Sequence, residues 1–524
     1  MSISLMMMLV ITLSFALSAW YCGRAGHISR RFVNALSGWL LVLLTVAIAG
    51  QGTSVDLLSQ SALAQVVHVT SLGLIMSGLV VFMAIILMRF SLNYMAGEPR
   101  LAVYWRWLLG TLAAVSLVVL SNHLLLFLLG WTLISLALHQ LLLFYPERPR
   151  AALGAHKKFI LARLAELALL IAVLCLYQAH DTFLLSDILA HYQAPNPEVS
   201  VYAQIAAVML VIVALIKCAQ LPVHGWLMQV VEAPTPVSAL LHAGVINLGG
   251  FLMIVFAPLV MQVAAAQWLL LLAGGLTTVL AALIMTTRVS VKVRLAWSTS
   301  AQMGLMLVEC ALGLYELALL HLLAHSAYKA HAFLNSGSAV RDNLQARLAV
   351  SVTPSLAHWL GAALLSLGLV ALTYWLVGQG SALSMWALLA MSLTLLLAQR
   401  SSAYHSLPWT GVLLVSVLLL ASYAAMKTLL AQTVFADVSL HEAPLSAADS
   451  VVMVLFVSLF VLNWLLTYRA AHPRVQSLSV VLFAGLYLDE WWTRLTLKIW
   501  PVKLPAPVKS QRAAKRQYGL IQES

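Results

Sequence analysis

The chain consists mainly of long apolar runs separated by short polar segments. Runs of about 17–25 apolar residues are long enough to cross the hydrocarbon core of a bilayer as helices. Because no water is available there to pair with the backbone, such runs predict helices rather than strands. We therefore expect an all-α polytopic membrane protein with about 13–16 transmembrane helices. The predicted helix centres lie near residues 12, 44, 78, 111, 133, 168, 212, 246, 275, 304, 328, 366, 391, 419 and 459.

Charged residues lie mostly in the connections, and their signs alternate along the chain. Numbered from the first, odd connections are rich in Lys and Arg, apart from residues 222–236, and even connections are rich in Asp and Glu, with Lys427 the one basic exception. Positive residues favour the cytoplasmic side. The pattern predicts a multi-pass protein of the bacterial inner membrane, with the N-terminus outside and the C-terminus in the cytoplasm.

Composition narrows the class of protein further. Of 524 residues, 62% are hydrophobic and only 9% are charged, against about 25% charged in soluble domains. This excludes a soluble enzyme, a disordered protein and a nucleic-acid-binding protein. The four cysteines form no CxxC pair, and no dinucleotide, phosphate-loop or metalloprotease motif is present. We expect no cofactor or metal in this chain and no catalytic site of its own.

After residue 470 the long apolar runs give way to a mixture of apolar and charged positions. Residues 476–500 mix apolar positions with Asp489, Glu490, Trp491 and Trp492, which predicts an amphipathic interfacial helix rather than another span. These four residues are our candidate docking surface for a partner. The basic tail beyond residue 502 is interpreted as solvated and attracted to anionic lipid, or else as a docking segment.

Three ionisable residues lie within apolar runs, where a charge costs about 2.5 kcal/mol or more. They are Glu166, Lys217 and His242, and each is a functional hypothesis. Each also has a structural alternative. Glu166 could pair with Arg163 or Lys158, Lys217 could extend its ammonium to the interface, and His242 could be a packing residue.

Prolines follow Lys217 closely and predict a broken helix beside it. A proline removes a backbone donor from a helix, and a break at membrane depth is tolerated only against protein or a water-filled cavity. The prolines are Pro222, Pro234 and Pro236.

A fourth group consists of His321, His325 and Lys329, which we call the His/Lys stripe. Spacings of four residues place them on one helix face, over about 12 Å. Imidazole and amine groups in a row can pass a proton stepwise. The alternative is that they hold helices together by hydrogen bonds. Glu309, Glu316, His123 and His139 are interpreted as structural or interfacial.

A longer motif then identifies a family. Residues 217–244 read KCAQLPVHGWLMQVVEAPTPVSALLHAG, and further matches are RFSLNYMAGEPR at 89–100, VKVRLAWSTSAQMGLM at 291–306 and HLLAHSAYKAHAFLNSGSAV at 321–340. These segments resemble the proton-conducting membrane subunits of NADH:quinone oxidoreductase (chain 5) and the large subunit of Mrp antiporters. The resemblance implies an antiporter-like bundle with a broken helix near Lys217.

The same resemblance assigns roles to residues. Lys217 matches the broken-helix lysine, His242 the relay position of the following helix, and the His/Lys stripe the central hydrophilic axis. Glu166 falls where the family has an acid. We accordingly divide the chain into N-terminal helices (1–67), a proton-conducting core (68–340), divergent C-terminal helices (341–470), and the amphipathic helix with its tail (471–524).

Departures from the family pattern narrow the expected branch. Thr132 follows Trp131 where the family has a glutamate that pairs with the broken-helix lysine. No counterpart of the long lateral helix of chain 5 is expected. This combination resembles the DabB-type subunit of a two-subunit inorganic-carbon transporter, whose soluble DabA-like partner carries zinc.

The branch implies that the chain conducts a cation, protons or Na⁺, while the zinc partner hydrates CO2 to bicarbonate at the cytoplasmic face. Two other functions remain open at this point. One is a proton-pumping subunit of a quinone-linked oxidoreductase or hydrogenase, and the other is a cation/proton antiporter subunit. A purely structural anchor would leave the buried ionisable groups without a role.

Overall fold

A computed structural model describes most of the chain and shows a helical bundle. The described residues are 2–25, 28–51, 65–339, 341, 344, 355–377, 382–398, 409–435 and 446–502. The predicted basic tail from residue 503 onward lies outside them. Within them, the extended pairing is confined to two isolated bridges, Val67 with Ser121 and His123 with Leu184. Both bridges join connections at one end of the bundle.

The helices are numbered here in chain order. The first half contains α1 (Ile3–Ala25), α2 (Arg30–Ala49), α3 (Ser71–Tyr94), α4 (Leu101–Leu120), α5 (Leu124–Leu142), α6 (Pro149–His180), α7 (Leu185–Gln193), α8 (Val201–Lys217), α9 (Gly225–Gln229), α10 (Thr235–Ala243), α11 (Leu248–Val255) and α12 (Ala257–Val260). The second half contains α13 (Ala264–Thr286), α14 (Val291–Ala311), α15 (Tyr315–Leu334), α16 (Leu356–Val377), α17 (Leu383–Ala398), α18 (Trp409–Thr433), α19 (Ala447–Tyr468), α20 (Pro473–Phe483) and α21 (Leu488–Ile499).

The prediction of an all-α polytopic membrane protein is confirmed. Every predicted centre lies in one of these helices or, for residue 246, in the turn inside the Thr235–Val255 span. Eleven described helices are long and apolar enough to cross a membrane, and α8 and α17 are shorter apolar helices. The predicted site residues are distributed over several helices, with Glu166 on α6, Lys217 on α8, His242 on α10 and the His/Lys stripe on α15.

Two transmembrane elements are interrupted in the middle of the bundle. Helix α8 ends at Lys217, as predicted, and residues 218–234, which include the short helix α9, precede α10. Pro234 caps α10 and Pro236 lies in its first turn, where a proline costs no hydrogen bond. A second break, which the sequence analysis did not predict, separates α10 from α11 at Gly244. A Cβ at Gly244 would approach the Leu240 carbonyl oxygen to 2.7 Å, so this bend needs glycine.

The central helices pack closely, and the C-terminal ones are peripheral. Helix α6 lies against α5 and α8, α10 lies against α15, and α13 pairs along its length with α14. The Thr235–Val255 span is 94% buried, whereas only 17% of α16 and 11% of α19 are buried. His242 therefore lies on the most enclosed of the described spans.

Residues 476–500, predicted as one amphipathic helix, form parts of two helices. A turn with positive φ at Gly485, Leu486 and Tyr487 separates α20 from α21. The Arg288 guanidinium donates to the Leu482 carbonyl beside this turn at 3.4 Å. The turn directs α21 back onto α6 and α9.

Candidate functional site

Lys217 lies at the broken end of α8, inside the bundle. Its ammonium nitrogen is 4.6 Å from the centroid of the Trp131 ring on α5, a distance that favours a cation–π interaction. Among the described residues, no carboxylate oxygen lies within 4 Å of this nitrogen. The lysine is thus held by an aromatic face and not by a direct ion pair.

A small cavity, which we call the Lys217 cavity, connects this lysine to α5 and α6. Its volume is about 30 Å³, and Lys158, Glu166, Ser135 and Trp131 line it together with Lys217. A polar cavity needs about 10–15 Å³ to hold one water molecule. The cavity can therefore hold about two water molecules between the Lys217 ammonium and the Glu166 carboxylate.

Glu166 takes part in a polar network on α6. Arg163 donates to its carboxylate at 2.7 Å and to the Ser135 hydroxyl at 3.0 Å. Lys158 donates to the Ser135 carbonyl at 2.7 Å. The Arg163 pair expected in the structural alternative is thus present, yet the same carboxylate also lines the cavity.

Thr132 shows what replaces the family glutamate. Its hydroxyl donates to the Leu128 carbonyl one turn earlier at 2.9 Å. A hydroxyl engaged with its own helix carries no charge, so Thr132 cannot compensate the Lys217 ammonium. Among the described residues that line the Lys217 cavity, Glu166 is the carboxylate available for that role.

His242 lies near the end of α10, beyond the Lys217 cavity. It is fully buried and stacks on Phe333 of α15, with ring centroids 4.3 Å apart. Neither ring nitrogen has a hydrogen-bond partner among the described residues. Val245 and Ile246, which follow His242 closely, line the cavity. His242 therefore lies between the cavity and α15.

The His/Lys stripe follows one face of α15, as predicted. Lys329, one turn before Phe333, is fully buried and donates to the Leu295 carbonyl of α14 at 3.2 Å. His325 is buried without a partner for either ring nitrogen in the described part of the chain. Its ring centroid is 6.1 Å from that of His321. The stripe is thus a row of buried nitrogen groups.

The row ends at two residues of α14. One ring nitrogen of His321 lies 3.0 Å from both carboxylate oxygens of Glu309, and the other lies 2.9 Å from the Gln302 side-chain oxygen. Glu309 is itself buried. Further out, Glu316 lies 3.7 Å from Lys427 of α18. Glu309 and Glu316, interpreted from sequence as structural or interfacial, are in contact with or near the stripe.

The predicted docking residues divide into two sets. Asp489 faces the protein: Lys157 of α6 donates to both of its carboxylate oxygens at 2.8 Å, and Gln229 donates at 3.2 Å. Glu490 pairs with Arg494 on the exposed face, and Trp491 is 63% exposed. Trp492 is half-buried beside Trp491. Docking of a partner stays a prediction that concerns the exposed set.

The sequence patterns do not point to Lys157, Ser135 or Gln302 as site residues, and they point to Lys158 only as a possible partner of Glu166. Both lysines precede the apolar run that begins near residue 161 and are therefore predicted to lie in a connection. Pro149 was the available signal, since proline favours the first turn of a helix, and α6 begins there. The short turn between α14 and α15 similarly indicates antiparallel neighbours, which bring Glu309 to His321.

The described residues contain no group of three or more His, Cys, Asp or Glu side chains arranged to hold a metal ion. The polar groups present instead are lysines, histidines and two glutamates on α6, α8, α10, α14 and α15. Such an arrangement can bind and release protons in sequence.

Comparisons with known proteins identify the family and the fold. Residues 121–406 match the family described as NADH:quinone oxidoreductase/Mrp antiporter, transmembrane region. The chain is 46% identical to the "Probable inorganic carbon transporter subunit DabB" of Hydrogenovibrio crunogenus, over 99% of this chain and 98% of that one. It is 36% identical to the DabB2 subunit of Halothiobacillus neapolitanus, over 86% and 83% of the two chains.

A solved structure shows the same fold. A chain of the Mrp complex from a Dietzia species superposes with a TM-score of 0.59 at 20% identity, over 97% of the present chain. The present chain spans 64% of the length of that Mrp chain. The antiporter-like bundle implied by the sequence motifs is therefore confirmed.

The buried Lys157–Asp489 pair generates a prediction about stability. Asp489→Ala would leave the fully buried Lys157 ammonium without its carboxylate. Breaking a buried ion pair costs about 3–5 kcal/mol, and we expect a smaller loss here because Asp489 is 30% exposed. The measurement is the thermal unfolding midpoint in detergent. Glu490→Ala is the matched control, since it removes an exposed pair worth about 0–1 kcal/mol. Equal midpoints for the two variants would contradict the prediction.

Proposed function

The chain belongs to the NADH:quinone oxidoreductase/Mrp antiporter membrane-subunit family and to its DabB group, and we propose that it is the cation-conducting subunit of an energy-coupled inorganic-carbon transporter. Two observations support this. The similarity to DabB subunits extends over almost the whole chain, including the divergent helices after residue 340. The buried polar groups also form a series through the most enclosed part of the bundle.

The main support for the proposal is the Lys217 cavity, together with the buried polar groups that lie between it and α15. A cation entering at Lys158 and Glu166 meets Lys217 across a space for about two water molecules. His242 and Phe333 connect the cavity region to Lys329. The stripe then leads through His325 to His321 and Glu309.

The chemistry of the groups favours protons over Na⁺. Hard cations such as Ca²⁺ and Mg²⁺ bind sets of oxygen ligands, and Na⁺ shares that preference. The described series is made largely of amines and imidazoles, which exchange protons. Glu166, its carboxylate nearest Lys217, is already bonded to Arg163.

In this proposal the chain provides the driving force by conducting protons, and another subunit catalyses the reaction. Protons move down their gradient through the bundle, and a soluble DabA-like partner with zinc hydrates CO2 to bicarbonate. The partner sits at the cytoplasmic end, where the charge pattern places α21 and the C-terminus. The chain itself has no catalytic role.

A second candidate function is supported by the fold. Because the bundle superposes on a chain of an Mrp complex, the same path could serve a cation/proton antiporter. That function predicts Na⁺ sensitivity in a deletion strain and several antiporter-like subunits in the assembly. A redox pump would instead bring quinone- or iron–sulfur-binding subunits.

Affinity purification from native membranes in mild detergent separates these functions. The proposal expects one large soluble protein in about equal amount, with zinc present by metal analysis. Recovery of redox subunits or of several antiporter-like chains in place of that protein would overturn it.

Lys217→Ala tests the conducting role. Because Lys217 is the titratable group at the helix break, we expect the variant to assemble with its partner but to abolish growth that depends on inorganic-carbon uptake at ambient CO2. Growth should recover at elevated CO2. Arg31→Ala is the control, since Arg31 is exposed on α2. Wild-type growth of the Lys217 variant at ambient CO2 would contradict the proposal.

A second prediction concerns the carboxylate that compensates Lys217. Glu166→Gln should lower proton flux by at least tenfold, because the Lys217 cavity then lacks a negative charge. Thr132→Glu in that background returns a carboxylate to the adjacent turn of α5, and we expect it to restore part of the flux. The measurement is dye-reported proton uptake into proteoliposomes. The assignment fails if Glu166→Gln conducts like the wild type.

A further inference from the structure

Two buried histidines lie outside the series described above. His139 of α5 is 7% exposed and His156 of α6 is 9% exposed, and their ring centroids are 6.2 Å apart. One nitrogen of each ring, Nδ1, has no hydrogen-bond partner in the described part of the chain. Leaving a buried polar nitrogen unpaired costs about 1–3 kcal/mol. Neither histidine has a role in the path from Lys217 to Glu309.

Both histidines lie next to the Lys217 cavity. His139 is one turn after Ser135, whose carbonyl accepts the hydrogen bond from Lys158. Leu138, the neighbour of His139, lines the cavity. His156 is two residues before Lys158 on α6, where side chains at this spacing point to different faces, so the contact between His156 and the cavity side of α6 runs through the His139 ring, 6.2 Å away. The pair therefore continues the polar series from the cavity towards the end of the bundle where α21 packs.

Trp500, directly after α21, covers this pair. Its ring stacks on His156 with centroids 3.8 Å apart and planes within 6° of parallel. It also lies 6.3 Å from His139 and 5.9 Å from Phe159. Trp500 itself is 40% exposed. One aromatic side chain thus separates two buried imidazoles from the surface.

The ion pair between Lys157 and Asp489 holds α21, and with it Trp500, against α6. Lys157, between His156 and Lys158, holds Asp489 of α21 with two hydrogen bonds of 2.8 Å. Gly225 makes room for Asp489, because a Cβ there would overlap the carboxylate. The three consecutive residues 156–158 therefore contact Trp500, Asp489 and the cavity wall, respectively.

We propose that His156 and His139 form the opening of the proton path, passing protons to Lys158 and the Lys217 cavity, and that Trp500 is the removable cover of that opening. The inference rests on the proposed function and adds the route by which protons reach Lys217. Each imidazole accepts a proton on one ring nitrogen and releases one from the other, so its charge is restored after each transfer.

Chemical labelling tests the cover without any transport assay. The full chain, purified with its partner, is treated briefly with diethyl pyrocarbonate, which modifies accessible imidazoles, and modified peptides are quantified by mass spectrometry. We expect Trp500→Ala to raise labelling of His156 at least fivefold over the wild type. Trp464→Ala is the matched control, since Trp464 is 37% exposed on α19 and lies outside the docking residues. Equal labelling of His156 in the wild type and Trp500→Ala would overturn the cover.

Flux measurements test the opening itself. In proteoliposomes, His156→Phe and His139→Phe keep an aromatic ring in the cluster but cannot carry a proton, and each should lower proton flux at least fivefold. His156→Gln, which stays polar, should lose as much. His191→Gln, an exposed histidine of α7, should conduct normally.

Lys217→Ala, measured in parallel, distinguishes failure of the proposed opening from failure of the proposed function. If this variant loses flux while the His139 and His156 variants conduct like the wild type, the opening lies elsewhere and the proposed function stands. If Lys217→Ala also conducts like the wild type, both the opening and the proposed function are overturned.

Discussion

The structure depends on one constraint, which is that ionisable side chains in a membrane bundle must be compensated inside the protein. A charge at membrane depth costs about 2.5 kcal/mol or more, and Lys158, Lys329 and Glu309 are all at most 5% exposed. Each has a hydrogen bond within the protein: the first to Ser135, the second to the Leu295 carbonyl and the third to His321. Breaks in α8 and between α10 and α11 are tolerated for the same reason, because they face protein rather than lipid.

Helix α6 connects the C-terminal segment with the Lys217 cavity. Its residues 156–158 contact the C-terminal segment on one side and the Lys217 cavity on the other, and Arg163 and Glu166 lie one to two turns further along. A displacement of α21 would therefore change the surroundings of the residues next to Lys217. This places the exposed face of α21, with Glu490 and Trp491, at the position from which a bound subunit could act on the path.

The sequence predicted the scaffold well because its signals are local. Apolar runs identify helices directly, and the prolines after Lys217 marked the break in α8. The spacing within the His/Lys stripe placed three residues on one face of α15. The missed features depend on contacts between distant segments: Asp489 meets Lys157 across more than three hundred residues, and Glu309 meets His321 across a helix hairpin. Neither the pattern of apolar runs nor the distribution of charges along the sequence indicates which distant residues meet in the fold. The bend at Gly485, which directs α21 onto α6, was likewise not visible as a break in hydropathy.

We propose that one continuous series of buried groups carries protons through the bundle, and Lys329 is the fully buried ammonium of that series on α15. The most direct test is proton uptake into proteoliposomes driven by a potassium diffusion potential, without Na⁺, for the wild type and Lys329→Met. Methionine keeps the length and apolar packing of the side chain but cannot take up a proton. We predict proton flux in the wild type and the loss of at least nine-tenths of it in the variant, with unchanged membrane insertion and partner binding. Equal flux in the two proteins would contradict a path through α15.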